Sequence, residues 1–145
     1  MIILDTNILI YAFIPDLPQH ERVAAWLEST LSKGRPSIGI IWHVLGGFMR
    51  ITTNPRVFED PLSIAAARSH IDDLLSHPFV SLVHTTDRHW EISANFVTEL
   101  NVSGDVVMDA HIAAMAIENN ASVASADKDF RRFSDYVKII DPLKA

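Results

Sequence analysis

The sequence predicts an α/β domain, a three-layer α/β/α sandwich around a central parallel sheet of about five strands. Short apolar runs that are continuous, not alternating, predict strands buried on both faces, and apolar residues at helical spacing between them predict helices. The 145 residues are 48% hydrophobic and 21% charged, which is typical of a packed globular protein. No repeat or linker-like segment interrupts the pattern, so we expect one domain over residues 1–145.

Five apolar runs are the candidate strands, at residues 1–4, 37–40, 80–83, 122–125 and 137–140. Apolar residues recur on one helical face at positions 23–31, 41–48 and 64–75. Three sites carry residue types that favour the start of a helix: Asp60-Pro61, Asp87 and Gly104-Asp105. Strands that alternate with helices predict parallel strand pairing.

Three aspartates lie at the ends or inside of apolar segments: Asp5, Asp109 and Asp127. A carboxylate at the rim of an apolar element costs free energy unless it is paired, hydrogen-bonded or metal-bound. Ligands of parallel sheets bind beyond the carboxyl ends of the strands, where Asp5 and Asp127 are expected. Each acid alone has an alternative interpretation as a helix cap or structural residue. Together they predict a catalytic site for Mg²⁺ or Mn²⁺ that hydrolyses phosphodiesters, because these ions prefer oxygen ligands.

Two further acids are candidate metal ligands. Asp105 precedes Asp109 by one helical turn and is expected on the same face, and Asp129 follows Asp127 closely. Side chains suited to orient the carboxylates or waters by hydrogen bonds are those of Thr6, Asn7 and Ser125.

Composition and motifs exclude several other classes. The absence of cysteine excludes disulfides, thiolate metal sites and cysteine nucleophiles, and no phosphate-binding glycine loop, serine elbow or regular histidine metal motif is found. The apolar runs are too short for a membrane span or a signal peptide, so we expect a cytoplasmic protein without a membrane partner. The net charge of −6 opposes nucleic-acid binding, but bound cations would offset it. Candidate RNA contacts are Arg50, Arg56 and Lys128.

Four segments in order, at residues 3–9, 50–58, 109–114 and 125–130, together resemble the VapC-type ribonuclease toxins of the PIN-domain family. The resemblance implies a Mg²⁺- or Mn²⁺-dependent endoribonuclease that uses metal-activated water to cut structured RNA such as tRNA or rRNA. It also implies a homodimer and inhibition by a cognate VapB-type antitoxin. Asp5, Asp109 and Asp127 match the family's metal-binding aspartates, and Asp129 matches an auxiliary acid.

One position departs from the family pattern. Gly47 stands where the family commonly carries a glutamate, so water, His43 or Asp105 would have to replace that ligand, and we favour Asp105 with water. The alternative function is a catalytically weakened PIN-like module that binds RNA or a protein partner. A phosphatase with Asp5 as its nucleophile is disfavoured because Asn7 occupies the place of its expected second aspartate. His111 is interpreted as a structural or surface histidine that points away from Asp109.

Overall fold

A five-stranded sheet forms the centre of the molecule. The computed structural model describes residues 1–145, and its strands are Ile2–Leu4 (β1), Ile38–Ile41 (β2), Val80–Val83 (β3), Ser122–Ala124 (β4) and Ile139–Ile140 (β5). The strand order is β3-β2-β1-β4-β5, and every neighbouring pair is parallel. The predicted α/β class, strand number and parallel pairing are therefore confirmed.

Six α-helices and one short 3₁₀-helix cover this sheet. The α-helices are Thr6–Phe13 (α1), His20–Lys33 (α2), Trp42–Thr52 (α3), Ile64–Ser76 (α4), His89–Glu99 (α5) and Val106–Glu118 (α6), and the 3₁₀-helix is Lys128–Phe133. Helix α1 packs on both α2 and α3, α3 packs on α4, and α5 packs on α6. None of these helices combines the length and the apolar character that a membrane crossing requires.

The direction of chain growth across the sheet reverses beside β1. The chain adds β2 and β3 on one side of β1, then returns to add β4 and β5 on the other side. In parallel α/β sheets, this point of reversal opens a crevice at the carboxyl ends of the two central strands. Asp5 directly follows β1 and Asp127 follows β4 after two residues. The topology thus brings both acids to the crevice.

Several predicted boundaries are wrong. Helix α4 begins at Ile64, not near Asp60-Pro61, because the Ser63 hydroxyl caps it by accepting a hydrogen bond from the Ala66 N–H (3.1 Å). Strand β5 is two residues shorter than predicted because the Val137 N–H closes a turn on the Phe133 carbonyl. Asp87 does not cap α5, which begins at His89 after Arg88. Asp105 does hold the N-cap position of α6, but its side chain makes no capping hydrogen bond.

The core encloses the sheet and the inward faces of the helices. Ile3 and Leu4 of β1 are completely buried, as expected for a central strand covered on both faces. The predicted helical face of α3 is confirmed, since Val44, Leu45 and Phe48 are all buried. The Phe48 ring packs edge-to-face on Phe13 of α1, with ring centroids 5.9 Å apart. This packing fixes α1, and with it the start of α1 at the crevice.

We expect Phe48→Ala to lower the free energy of unfolding by about 3–5 kcal/mol, because it leaves a cavity in a close-packed core. The control is Val57→Ala, a truncation of a residue that is 54% exposed, which should cost less than about 0.5 kcal/mol. Urea denaturation of the three proteins measures both values. Equal losses in the two variants would contradict the assignment of Phe48 to the core.

Candidate active site

Asp5 is the most buried acid at the crevice, with 6% of its surface exposed. Its Oδ1 accepts a hydrogen bond from the Thr6 N–H (2.7 Å) and thereby caps α1. Its Oδ2 accepts from the Ser125 hydroxyl (2.7 Å) and from the Asn7 side-chain amide (2.8 Å). Burial raises the pKa of Asp5, and these hydrogen bonds oppose the rise. The carboxylate is therefore held in one orientation by the side chains of Asn7 and Ser125, as predicted, and by the backbone of Thr6, whose side chain makes no hydrogen bond to it.

The segment after β4 is tied to the same group of residues. The Ser125 hydroxyl accepts from the Asp127 N–H (3.1 Å), and the Asn7 side-chain oxygen accepts from the Ala126 N–H (3.3 Å). The Asp127 Oδ1 in turn accepts from the Asp129 N–H (2.9 Å), which starts the 3₁₀-helix. Asn7 and Ser125 therefore connect the ends of β1 and β4, and they set the position of the two exposed acids that follow.

Asp109 lies in the first turn of α6 and is half-buried. Burial raises its pKa from 3.8 to about 7, and the negative charges of Asp5, Asp127 and Asp129 contribute to the rise, while Arg132 opposes it. Asp5, Asp127 and Asp129 are therefore the predicted metal-ligating residues whose charges act on Asp109.

These four acids suit a divalent cation by their chemistry. Close carboxylates repel one another and tend to retain a proton, and a bound cation removes that conflict. The structure nevertheless contains no group of three or more histidine, aspartate or glutamate side chains already arranged to hold a metal ion. The metal-binding role of these residues therefore stays a prediction, and it requires their side chains to close around the ion.

Asp105 is exposed and stands at the N-cap of α6, one turn before Asp109. Its role as the replacement ligand stays a prediction. The three candidate RNA contacts Arg50, Arg56 and Lys128 are all exposed, and Lys128 directly follows Asp127.

Gly47 is buried against α1. A Cβ atom at this position would lie 3.1 Å from both Cγ2 and Oγ1 of Thr6, so the threonine side chain occupies the space where a longer residue would begin. His43 precedes Gly47 by one turn, and the Asp5 carboxylate is close enough to affect it. Burial lowers the pKa of His43, Asp5 raises it and Arg50 lowers it. The loss of the glutamate is thus accompanied by a close contact between α1 and α3.

A second polar cluster, which the sequence analysis missed, connects α5 and α6. The Glu118 side chain is only 1% exposed, and its Oε1 accepts from the backbone N–H (2.9 Å) and the hydroxyl (2.6 Å) of Thr86. Its Oε2 lies 2.6 Å from Nδ1 of His89. Burial disfavours the charged form of Glu118, but the hydrogen bonds from Thr86 and His89 outweigh it and hold its pKa below the usual range.

His89 extends this cluster to His111. The His89 Nε2 lies 2.6 Å from Nδ1 of His111 and 3.1 Å from the Ser93 hydroxyl. Burial, followed by the neighbouring His89 and His43, lowers the pKa of His111 to about 4. His111 is therefore a hydrogen-bonded, half-buried residue, not a surface histidine. His111 and Glu118 are seven residues apart on one helix, and this spacing indicates that they share a helical face. No feature of the sequence near them indicated His89 as their partner.

Comparison with known proteins now identifies the family. The family model of the PIN domain matches residues 2–136. The chain belongs to the PIN-domain family. Ribonuclease VapC33 of Mycobacterium tuberculosis is 40% identical over 144 residues, which cover 99% of both proteins. Ribonuclease VapC43 of the same organism is 38% identical over 133 residues, 92% of this chain and 90% of that protein. Within the family, this PIN-domain protein thus groups with the VapC ribonucleases, as the resemblance predicted.

Solved structures share its fold. VapBC2 from Rickettsia felis, bound to a DNA fragment from the promoter, aligns with a TM-score of 0.71 at 21% identity and covers 97% of this chain and 98% of that one. Mycobacterium tuberculosis VapC20, described as a sarcin-ricin loop cleaving toxin, aligns with a TM-score of 0.65 at 18% identity, over 90% and 93% of the two chains. At these identities the likeness confirms the PIN fold alone.

Without added divalent ions, Asp109→Asn should become progressively more stable than the parent as the pH rises from about 5 to 8. The folded state raises the pKa of Asp109 from 3.8 to about 7, so it binds the proton more tightly than the unfolded chain does. This stabilisation is complete below pH 3.8 and is lost as the pH rises through 7. After discounting for the screening of a half-exposed group, we expect the variant to gain roughly 1 kcal/mol, or about 3 °C in Tm, at pH 8 relative to pH 5.

Thermal unfolding at the two pH values measures this difference. Asp72→Asn serves as the control, because Asp72 is an exposed residue of α4 whose pairing with Arg68 is at the surface. An equal effect of Asp109→Asn at both pH values would show that the folded state does not raise the pKa of Asp109.

Proposed function

We propose that this PIN-domain protein is a divalent-metal-dependent endoribonuclease and the toxin of a VapBC-type toxin-antitoxin pair. The observation that carries the proposal is that one hydroxyl, that of Ser125, contacts both the Asp5 carboxylate and the Asp127 backbone at the carboxyl edge of the sheet, where the charges of Asp5 and Asp127 also act on Asp109. The names of the relatives VapC33 and VapC43 as ribonucleases support the reaction class. The proposed reaction is hydrolysis of a phosphodiester bond in RNA by water.

The acids would hold Mg²⁺ or Mn²⁺, which, when bound, supplies a Lewis acid and activates water. Ser125 and Asn7 orient this site, because both donate to Oδ2 of Asp5. The Asp5 Oδ1 makes a single hydrogen bond, to the Thr6 N–H, and therefore keeps acceptor capacity for a ligand. Ser125 also holds the Asp127 backbone, so that one hydroxyl sets the relative position of two acids.

Basic side chains beside the acids provide a place for the RNA backbone. A cavity of about 250 Å³ next to Ser125 and Asp127 is lined by three cationic residues, Lys128, Arg131 and Lys144, and by the acids Asp127 and Asp141. Lys144 pairs with Asp141 (3.3 Å), so Lys128 and Arg131 are the cations of this rim that can contact phosphates, which depend on such groups for most of their affinity. We propose that Lys128 contacts RNA here, and that Arg50 and Arg56 extend the contact along α3 and the turn that follows it.

The proposed partners follow from the family. Solved relatives include VapBC2 from Rickettsia felis and VapBC-1 from nontypeable Haemophilus influenzae. We propose a cognate VapB-type antitoxin, a homodimer and a structured RNA substrate of the tRNA or rRNA class for this chain.

A second candidate function is a PIN module that binds RNA without cutting it. Two observations favour it: Gly47 replaces the family's glutamate, and the acids are not already arranged around an ion. A parent protein that binds RNA but does not cleave it with either Mg²⁺ or Mn²⁺ would establish this function instead.

The test of the nuclease is cleavage of total tRNA and rRNA by the purified chain with Mg²⁺ or Mn²⁺. We expect cleavage that EDTA abolishes and that Asp5→Asn and Asp109→Asn each reduce by roughly 100-fold or more, since each removes a charge from the reacting centre. Asp72→Asn, which removes an equal charge from α4, should cleave like the parent. Undiminished cleavage by the Asp5 and Asp109 variants would contradict the proposed site.

A further inference from the structure

The carboxyl edge of the sheet has a second half that the proposed chemistry does not use. Beyond Asp5, which follows β1, the next strands along the edge are β2, which is followed by Trp42 and His43 of α3, and β3, which is followed by His84. Acids therefore follow β1 and β4, whereas histidines follow β2 and β3. The two halves are adjacent, and the negative charge of Asp5 acts to raise the pKa of His43.

A small cavity of about 150 Å³ lies in the histidine half. Its polar wall consists of His43, His84, Thr85 and His111, and the Trp42 side chain forms another part of its lining. Trp42 is 64% exposed, so most of the indole is accessible from solvent. No lysine or arginine lines the cavity. Because phosphate recognition depends on such cations, this cavity is unsuited to the RNA backbone.

The buried cluster between α5 and α6 fixes how His111 meets this cavity. Glu118 accepts from Thr86 and lies against Nδ1 of His89, and the His89 Nε2 lies 2.6 Å from Nδ1 of His111. The Nε2 of His111 is therefore on the ring edge directed away from His89.

We propose that this cavity binds an unstacked nucleobase of the substrate RNA beside the scissile phosphodiester, with Trp42 as the stacking surface and the His111 Nε2 as a hydrogen-bond partner for the base edge. This inference rests on the proposed ribonuclease function. Proteins that recognise single-stranded RNA commonly stack its bases on aromatic side chains and bond their edges with polar groups. The basic side chains next to the acidic half would hold the backbone, and the histidine half would contact the base.

The test measures binding of short single-stranded RNAs in the Asp109→Asn background, where cleavage is blocked. The probes are four homopolymers, a ribose-phosphate oligomer of equal length without bases, and inorganic phosphate as a competitor. At least one homopolymer should bind roughly 5- to 150-fold more tightly than the abasic oligomer, which is the range for one stacked base. Trp42→Ala should remove this difference. Trp90→Ala, which truncates a tryptophan that is 80% exposed and lies outside the cavity, should retain it.

His111→Asn gives a second measure that does not depend on stacking. Its amide keeps a donor toward His89 but lacks Nε2, so binding of the preferred homopolymer should weaken by roughly 2- to 12-fold, as for one hydrogen bond. Fluorescence quenching by RNA should persist in Trp90→Ala and disappear in Trp42→Ala. Equal binding of abasic and base-containing RNA, or an unchanged base preference in Trp42→Ala, would overturn the inference.

Cleavage by the parent, assayed in parallel, distinguishes a failure of the base site from a failure of the nuclease function. If the parent cleaves RNA but Trp42→Ala keeps the base preference, the inference fails and the nuclease function stands. If the parent neither binds nor cleaves RNA, both fail. If it binds with base preference but does not cleave, the base site stands and the nuclease function fails.

Discussion

Repulsion among carboxylates at the carboxyl edge of the sheet is the constraint on which the rest of the site depends. The parallel topology places the ends of β1 and β4 side by side, and α6 adds Asp109 to the acids that follow them. Water cannot fully screen these charges because Asp5 is buried and Asp109 half-buried. Burial, and after it the charges of the neighbouring acids, raises the pKa of Asp109 to about 7, so the charged form of this residue carries a free-energy cost in the fold. A divalent cation bound here would relieve the repulsion among the carboxylates, and this relief would contribute to its binding affinity.

The supporting residues explain how the chain tolerates this arrangement. Asp5 serves at once as the cap of α1 and as a member of the acidic group, and Asp127 likewise starts the 3₁₀-helix. One aspartate can thus be both a helix cap and a functional acid, because its carboxylate has enough lone pairs for both roles. Ser125 and Asn7 connect the ends of the two central strands through the same hydrogen bonds that orient Asp5. Local folding and site geometry are specified by the same few residues.

Much of this could be predicted from the sequence because the signals are local. Continuous apolar runs revealed the strands, and acids at their ends indicated Asp5 and Asp127. The order of strands in the sheet has no such signal, since it depends on which distant segments pair. For the same reason, the contact of Thr6 with Gly47 could not be predicted from the sequence. The hydrogen bond between His89 and Glu118, which are 29 residues apart, could not be predicted either. The start of α4 was missed because two adjacent sites, Asp60-Pro61 and Ser63, both carry capping residues and tertiary contacts select between them.

Direct observation of an ion tests the central claim. Crystals of the chain grown with Mn²⁺ should show an anomalous difference peak at the crevice, coordinated by oxygens of Asp5 and Asp109 with Asp127 or Asp129, whose side chains have closed toward it. A peak of this kind should be absent from crystals of Asp109→Asn. Parent crystals with no peak at the crevice, or with Mn²⁺ held elsewhere, for example by His89 and His111, would contradict the account.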